Sequence, residues 1–352
     1  MDTTDQDGGR RAYIGSFTSG GGRGILTAAV DPATGALTPL AVTDAPENPS
    51  CLTLDPVSGV LYAVSETEQG AVAAFRPTAE GLTALGPAVG VGGSGPTHLS
   101  VAGRRLLTAQ YTSGSVSSLP LAADGSLGGP PRVLAHQGSG PDPDRQDRPH
   151  AHQVLPDPSG RWVLSVDLGT DSVRVCSLDQ ATGALRMHAE TVLRAGTGPR
   201  HLAFHPDGDV VYVLHELEPQ LTVCRWNPAS GQLEPVGEVP VASAGSPGAA
   251  RDYPSEVVVS RDGRFVWAAI RGADAIATLS LSGRTEKPQL TDTVDAGGSW
   301  PRDLVADPSG RRLYVANEWS GNVTWFDVDQ RTGQLRRAGR LEVPAAACVV
   351  FA

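Results

Sequence analysis

At 352 residues the chain exceeds one ordinary globular core, yet no linker-like stretch divides it, so a single domain over 11–352 is expected behind a disordered tail at 1–10. Its formal net charge of −10 argues against nonspecific nucleic-acid binding, which needs a basic footprint. Gly (42) and Pro (28) make about a fifth of the chain, short of the fraction that marks disorder, and turn-rich β structure fits that composition.

The first ten residues, MDTTDQDGGR, contain no apolar stretch, so no signal peptide is expected. No later run is long enough to span a bilayer, and a cytoplasmic setting without a membrane partner is the expectation. Next, YIGSF at Tyr13–Phe17 reads as the second strand of a hairpin that lacks its first. From Pro49 onward one phrase recurs: PSCLTLDPVSGVLYAVSE, PTHLSVAGRRLLTAQY from Pro96, PHAHQVLPDPSGRWVLSVDL from Pro149, PRHLAFHPDGDVVYVLHE from Pro199, PSEVVVSRDGRFVWAAIR from Pro254 and PRDLVADPSGRRLYVANE from Pro301. Each is apolar run, turn, apolar run, which predicts a β-hairpin. Copies start roughly 43 to 55 residues apart, in or near the range of propeller blades. A second pair of strand-like runs follows each hairpin, for example DSVRVCSLDQATGALRMHAETVL from Asp171.

Four short strands per repeat predict an all-β, seven-bladed β-propeller with four-stranded antiparallel blades. The terminal run PAAACVVFA from Pro344 supplies the strand that the N-terminal fragment lacks, and pairing the two closes the ring without a free sheet edge. A solenoid, the competing repeat architecture, needs atypical capping repeats, whereas these termini complement each other. Cys51, Cys176, Cys224 and Cys348 show no CxxC spacing, so buried free thiols are expected.

A hairpin returns to the end from which it started, so the residue opening its first strand and the residue closing its second share one rim. Six places before the turn stand Ser50, His152, Arg200, Ser255 and Arg302; ten places after it stand Glu66, Leu168, Glu216, Arg271 and Glu318, with Tyr111 in the same column. His152, Arg200, Glu216 and Arg271 thereby bring an imidazole, a carboxylate and two guanidiniums to one mouth, which suits a small anionic ligand. His150, Arg302, Glu256, Tyr111 and Glu66 are the candidate substrate contacts around them. Arg200 and Glu216 face each other across one hairpin, so a purely structural ion pair is the alternative. His150 and His152 share one face of an ideal strand, a metal-ligand spacing, but no third ligand is marked; no metal or cofactor is expected. His98, His205 and His215 read as hydrogen-bonded core or rim residues, and Asp167 and Asp303 as loop caps. Two long connections, Ala135–Arg148 and Val241–Asp252, enter at the same rim and are candidate walls or lids.

The segments PHAHQVLPDPSGRWVLSVDLGTDSV, GTGPRHLAFHPDGDVVYVLHEL and DGRFVWAAIRG, with YIGSFT, YAVSE and ANEWSGNV, resemble the seven-bladed lactonase family, which includes propeller-type 6-phosphogluconolactonases and carboxy-muconate lactonizing enzymes. The resemblance covers nearly the whole chain and implies that His152, Arg200, Glu216 and Arg271 are the catalytic group. It departs from the family at Val258, where a histidine is frequent, and in SVDLG, where a proline is common before the aspartate. Hydrolysis of an anionic sugar lactone is the implied activity, with Glu216 or His152 as general base and the two arginines gripping a phosphate or carboxylate or stabilising the oxyanion. A muconate-cyclising isomerase and a non-catalytic binding propeller are the alternatives, and the absence of a GxSxG elbow agrees with a route lacking a covalent intermediate.

Overall fold

A computed structural model describes residues 10–242, 251–281 and 287–352. The expected tail thus lies outside the described residues except for Arg10, and so does most of the connection expected over Val241–Asp252. Among the described residues the strands form seven sheets, each a blade. Blade one joins Arg11–Ser16, Ile25–Val30 and Leu37–Thr43 to the C-terminal strand Ala346–Phe351, which occupies its inner position. Tyr13 pairs with Val350 and Ile14 with Val349, so the last strand and the first close the ring as expected. Blades two to seven follow in chain order, with inner strands Leu52–Leu54, Pro96–Ala102, Ala151–Pro156, Pro199–Phe204, Tyr253–Val259 and Pro301–Ala306.

The apolar runs of the hairpins become second strands buried on both faces, such as Arg105–Gln110, Trp162–Asp167, Val210–His215 and Phe265–Arg271. A strand packed between two neighbouring sheets has no wet side, hence its near-continuous Val, Leu, Ile and Ala. Fourth strands alternate, as in Leu335–Glu342, because one face meets water. Cores lie between blades: Tyr212 and Leu214 of blade five pack with Val266 and Ile270 of blade six. The closing seam is built alike, with Ile14 and Val349 against Tyr314. In the DPSG turns the aspartate carboxylate accepts backbone N–H groups, Asp157 from Trp162 at 2.8 Å and Asp307 from Arg311 at 3.0 Å. Gly160 and Gly310 supply the left-handed positions there, at φ +68° and +67°.

One irregularity positions the channel. In six of the seven inner strands, among the described residues, the register with the second strand slips by one residue near the mouth. In blade five Pro199 pairs with His215 and His201 with Leu214, leaving Arg200 as the extra residue. His152 is extra in blade four and Arg302 in blade seven. A bulge breaks the two-residue alternation, so two consecutive side chains can be aimed at the same side of a sheet. Arg200 with His201, and Arg302 with Asp303, accordingly line the same central cavity.

Candidate functional site

The channel mouth is organised around Glu216, only 4% exposed. Its Oε2 lies 2.8 Å from Arg271 and 3.1 Å from Arg200 Nε, and its Oε1 lies 2.5 Å from Arg145. Burial pushes the Glu216 carboxyl up, but Arg271, Arg200 and Arg145 outweigh burial and hold it far below the usual carboxylate range. An oxygen pair occupied by three guanidiniums is a poor proton acceptor, which favours His152 of the two expected candidates for general base. The bland alternative, a simple Arg200–Glu216 pair, is also too small: the carboxylate is the hub of a three-arginine cluster.

Arg271 is committed to this hub and to the backbone, donating from Nε to Tyr253 O at 3.0 Å and from NH2 to Pro254 O at 3.3 Å. It also lies 5.2 Å over the ring of Trp300. Arg200 is 3% exposed and donates from NH1 to Ser255 O. Its Nε, although 3.1 Å from Glu216, is off line and makes no hydrogen bond. Burial, then the charge of Arg271, lowers Arg200 to about 9 against the opposing pull of Glu216. The two-point grip on substrate expected of Arg200 and Arg271 is therefore divided: Arg271 is committed to the hub, while Arg200 also borders the cavity.

His152 is 5% exposed, and its Nδ1 lies 3.1 Å from His201 Nε2. His201 Nδ1 in turn lies 2.6 Å from Glu256 Oε2. Burial, then Arg200 and His201, holds His152 well below the usual imidazole range; burial and Arg200 do the same for His201. The metal spacing of His150 and His152 dissolves at the bulge. His150 stacks on Tyr111 at 4.4 Å and meets Asp147 at 3.3 Å, while His152 turns to His201. Among the described residues the group with three metal-capable ligands close together is His205, Asp207 and Asp209, at a turn outside the channel.

The expected substrate contacts fall around this centre. The Tyr111 ring stands T-shaped to that of His152, centroids 5.7 Å apart, and its hydroxyl accepts from Arg145 at 3.2 Å. Arg302 pairs with Glu318 at 3.1 Å and Glu66 at 3.8 Å, with Ser50 also bonded to Glu66. Below the mouth a cavity of about 270 Å³ is lined by Ser50, Arg200, His201, Glu256, Arg302 and Asp303. A larger groove, about 960 Å³, runs along outer strands of blades four and five past Glu190, Trp226 and Glu234, away from these residues.

Four residues escaped the sequence reading. His201, His98 and Asp303 sit one place after a rim position, where strict alternation would turn them away; the bulge turns them in. Asp303 accepts from Val349 N at 2.8 Å and lines the cavity, which corrects its expected role as a loop cap. His98 likewise borders the cavity, its ring 5.5 Å from that of His201. The available signal was a polar residue in second place after the proline of four of the five phrases from Pro96 to Pro301: His98, His201, Glu256 and Asp303, with Ala151 the exception. Arg145 belongs to no strand. It is delivered by the connection before blade four, which acts as a wall: Gln146 donates to Leu168 O at 2.9 Å, and His136 meets Asp167 at 2.6 Å. Asp167, also bonded to Arg174 and to the Thr170 N–H, keeps its capping role.

Burial pushes both Glu256 and Asp303 up to about 7, the charge of Glu256 adding to the effect on Asp303. The folded chain therefore binds more protons at this pair than the unfolded chain from about pH 4 to 7, and the pair's contribution to stability falls as pH rises through that window. Asp303→Asn, which keeps an acceptor for Val349, is expected to raise stability at pH 8 by about 1 kcal/mol or more, roughly 2 °C in Tm, with the gain gone by about pH 4. Thermal unfolding at the two pH values checks this, and an equal shift at both would contradict it.

The four cysteines are free, Cys176 and Cys224 at equivalent buried places in blades four and five. Burial pushes both thiols up to about 12, which makes them inert at neutral pH.

Comparison with known proteins agrees with this fold. The family model described as Lactonase, 7-bladed beta-propeller matches residues 11–351. A 6-phosphogluconolactonase from Bacillus subtilis (strain 168) is 34% identical over 347 residues, covering 96% of this chain and 97% of that protein. Among solved structures, a putative 6-phosphogluconolactonase from Bacteroides fragilis superposes with a TM-score of 0.91 at 29% identity, covering both chains completely. A periplasmic gluconolactonase from Pseudomonas aeruginosa gives 0.90 at 30% identity, covering 97% of this chain and 98% of its own.

Proposed function

The chain belongs to the 7-bladed β-propeller lactonase family and is a lactonase, and from that premise we propose that it hydrolyses 6-phosphogluconolactone at the channel mouth. The observation that carries this reading is that the buried imidazole of His152 feels the charge of Arg200, whose guanidinium borders the cavity, while burial holds that imidazole neutral.

Opening a lactone requires an activated water, a place for the negative charge that grows on the carbonyl oxygen, and a proton for the leaving ring oxygen. The imidazole of His152 takes a proton from water as that water attacks the carbonyl carbon. Arg200, in a dry setting where charge interactions are strong, receives the developing oxyanion. Collapse of the tetrahedral intermediate breaks the bond to the ring oxygen, which takes back the proton held by His152. The new carboxylic acid then ionises, so one water is consumed and one proton released, with no covalent intermediate. Glu216 holds Arg200 and Arg271 in place. Arg145, with about a third of its side chain exposed, is the guanidinium best placed to exchange Glu216 for a substrate phosphate.

Purified protein is expected to open 6-phosphogluconolactone well above the spontaneous rate, and to prefer it about tenfold or more in kcat/KM over the unphosphorylated lactone. A chelator is expected to leave the rate unchanged. No turnover across a panel of sugar lactones contradicts the reading, and loss of a muconate chromophore on mixing moves it to the cyclising alternative. We place the reaction in the cytoplasm, a reading supported by the four free thiols; recovery of the native protein only outside that compartment on cell fractionation overturns it.

A further inference from the structure

The mechanism above uses His152 but leaves the buried groups behind it unexplained. His152 Nδ1, His201 Nε2, His201 Nδ1 and Glu256 Oε2 form an unbroken chain with links of 3.1 and 2.6 Å. Each link holds one proton, so the chain has two self-consistent settings. An ionised Glu256 must accept from His201 Nδ1–H; His201 Nε2 is then an acceptor, His152 must donate from Nδ1, and His152 Nε2 is left bare. A protonated Glu256 reverses every link: it donates to His201 Nδ1, His201 donates from Nε2 to His152 Nδ1, and the proton of His152 sits on Nε2. Among the described residues His152 Nε2 makes no hydrogen bond, and it is not a fully buried atom. It is the nitrogen open to a substrate.

We propose that His201 and Glu256 are positioning residues that set the tautomer of His152, presenting a bare Nε2 when Glu256 is ionised and an Nε2–H when it is protonated. Resting on the lactonase reading, this makes the buried carboxyl, two residues removed from substrate, decide whether His152 meets the lactone as base or acid. Glu256 is held for this role by the Val257 N–H, which donates to its Oε1 at 2.9 Å. Its titration falls near neutrality, where such a switch has consequence. The wall of the channel bears on that titration from every side. Blade seven contributes Asp303 and Arg302, blade five Arg200 and Glu216, and blade six Arg271. From blade three come His98, whose Nδ1 accepts from Val154 N, and Tyr111 beside His150. Cys51, Cys348 and Glu66 complete the ring from blades two and one, with Arg145 above. Arg200 is the charge that lowers Glu256, and Glu256 and Asp303 repel each other when both are ionised.

The test reads tautomers in the protein without substrate, so its result does not depend on which lactone is turned over. Nitrogen-15 histidine spectra, with His152 assigned by the resonance lost in His152→Gln, are expected to show Nδ1–H at pH 8.5 and Nε2–H at pH 5.5. Asp303→Asn should move that exchange about one pH unit lower, and Glu256→Gln should abolish its pH dependence. In parallel, His201→Leu is expected to lower kcat about 100-fold with little change in KM, whereas His201→Gln, whose amide can donate to Glu256 and accept from His152, recovers most of that loss. A His152 tautomer that does not change with pH in the wild-type protein overturns the proposal, as do equal losses of kcat in the two His201 variants. Should His201→Leu fail to fold, the Asp303→Asn and Glu256→Gln titrations decide alone, and unshifted curves in both overturn it.

Discussion

Glu216→Ala is expected to abolish nearly all lactone turnover and to cost about 3–5 kcal/mol of folding stability. Two guanidiniums with almost no exposure, Arg200 and Arg271, face one carboxylate, and removing it leaves buried positive charge without compensation. Glu216 is the carboxylate that opposes the burial of Arg200, so its loss also leaves that guanidinium without the partner that holds it for the oxyanion. Glu216→Gln keeps the shape and the acceptor oxygen while losing the charge, so a smaller cost is expected. Added acetate should restore part of the stability of the alanine variant by filling the vacated space between the arginines. Urea unfolding with and without acetate measures this; an alanine variant as stable as the parent would mean that the cluster does not depend on its central carboxylate.

The second large effect is expected at His152. His152→Gln should lower kcat by about a thousandfold with KM changed only a few-fold, because the amide has no lone pair basic enough to take a proton from water. Stability should change little, since His152 is held neutral and contributes no ion pair that its removal would break. Near-normal kcat in this variant, with fold intact by circular dichroism, would remove the imidazole from the chemistry.

Much of this arrangement was legible in the sequence because repetition and hairpin geometry are local properties. The six phrases and the complementary ends at YIGSF and PAAACVVFA specified seven blades, and the rim positions gathered His152, Arg200, Glu216 and Arg271. What escaped depends on interactions between blades. The bulges that aim His201 and Asp303 into the channel arise from a register slip, and neither propensity nor apolar periodicity records such a slip. Arg145 comes from an irregular connection whose path is set by partners at the end of a blade-four strand, Asp167 and Leu168 among them. The choice of base stayed open between Glu216 and His152 because column counting places charges at one mouth without saying how many of them share one carboxylate.

The measurement that bears most directly on the account is a crystal structure with 6-phosphogluconate, the open-chain acid expected as product. The carboxylate is expected at the channel mouth, within hydrogen-bonding distance of His152 Nε2 and Arg200, with the phosphate toward Arg145. Binding in the outer groove of blades four and five, or at the opposite end of the channel, would contradict it.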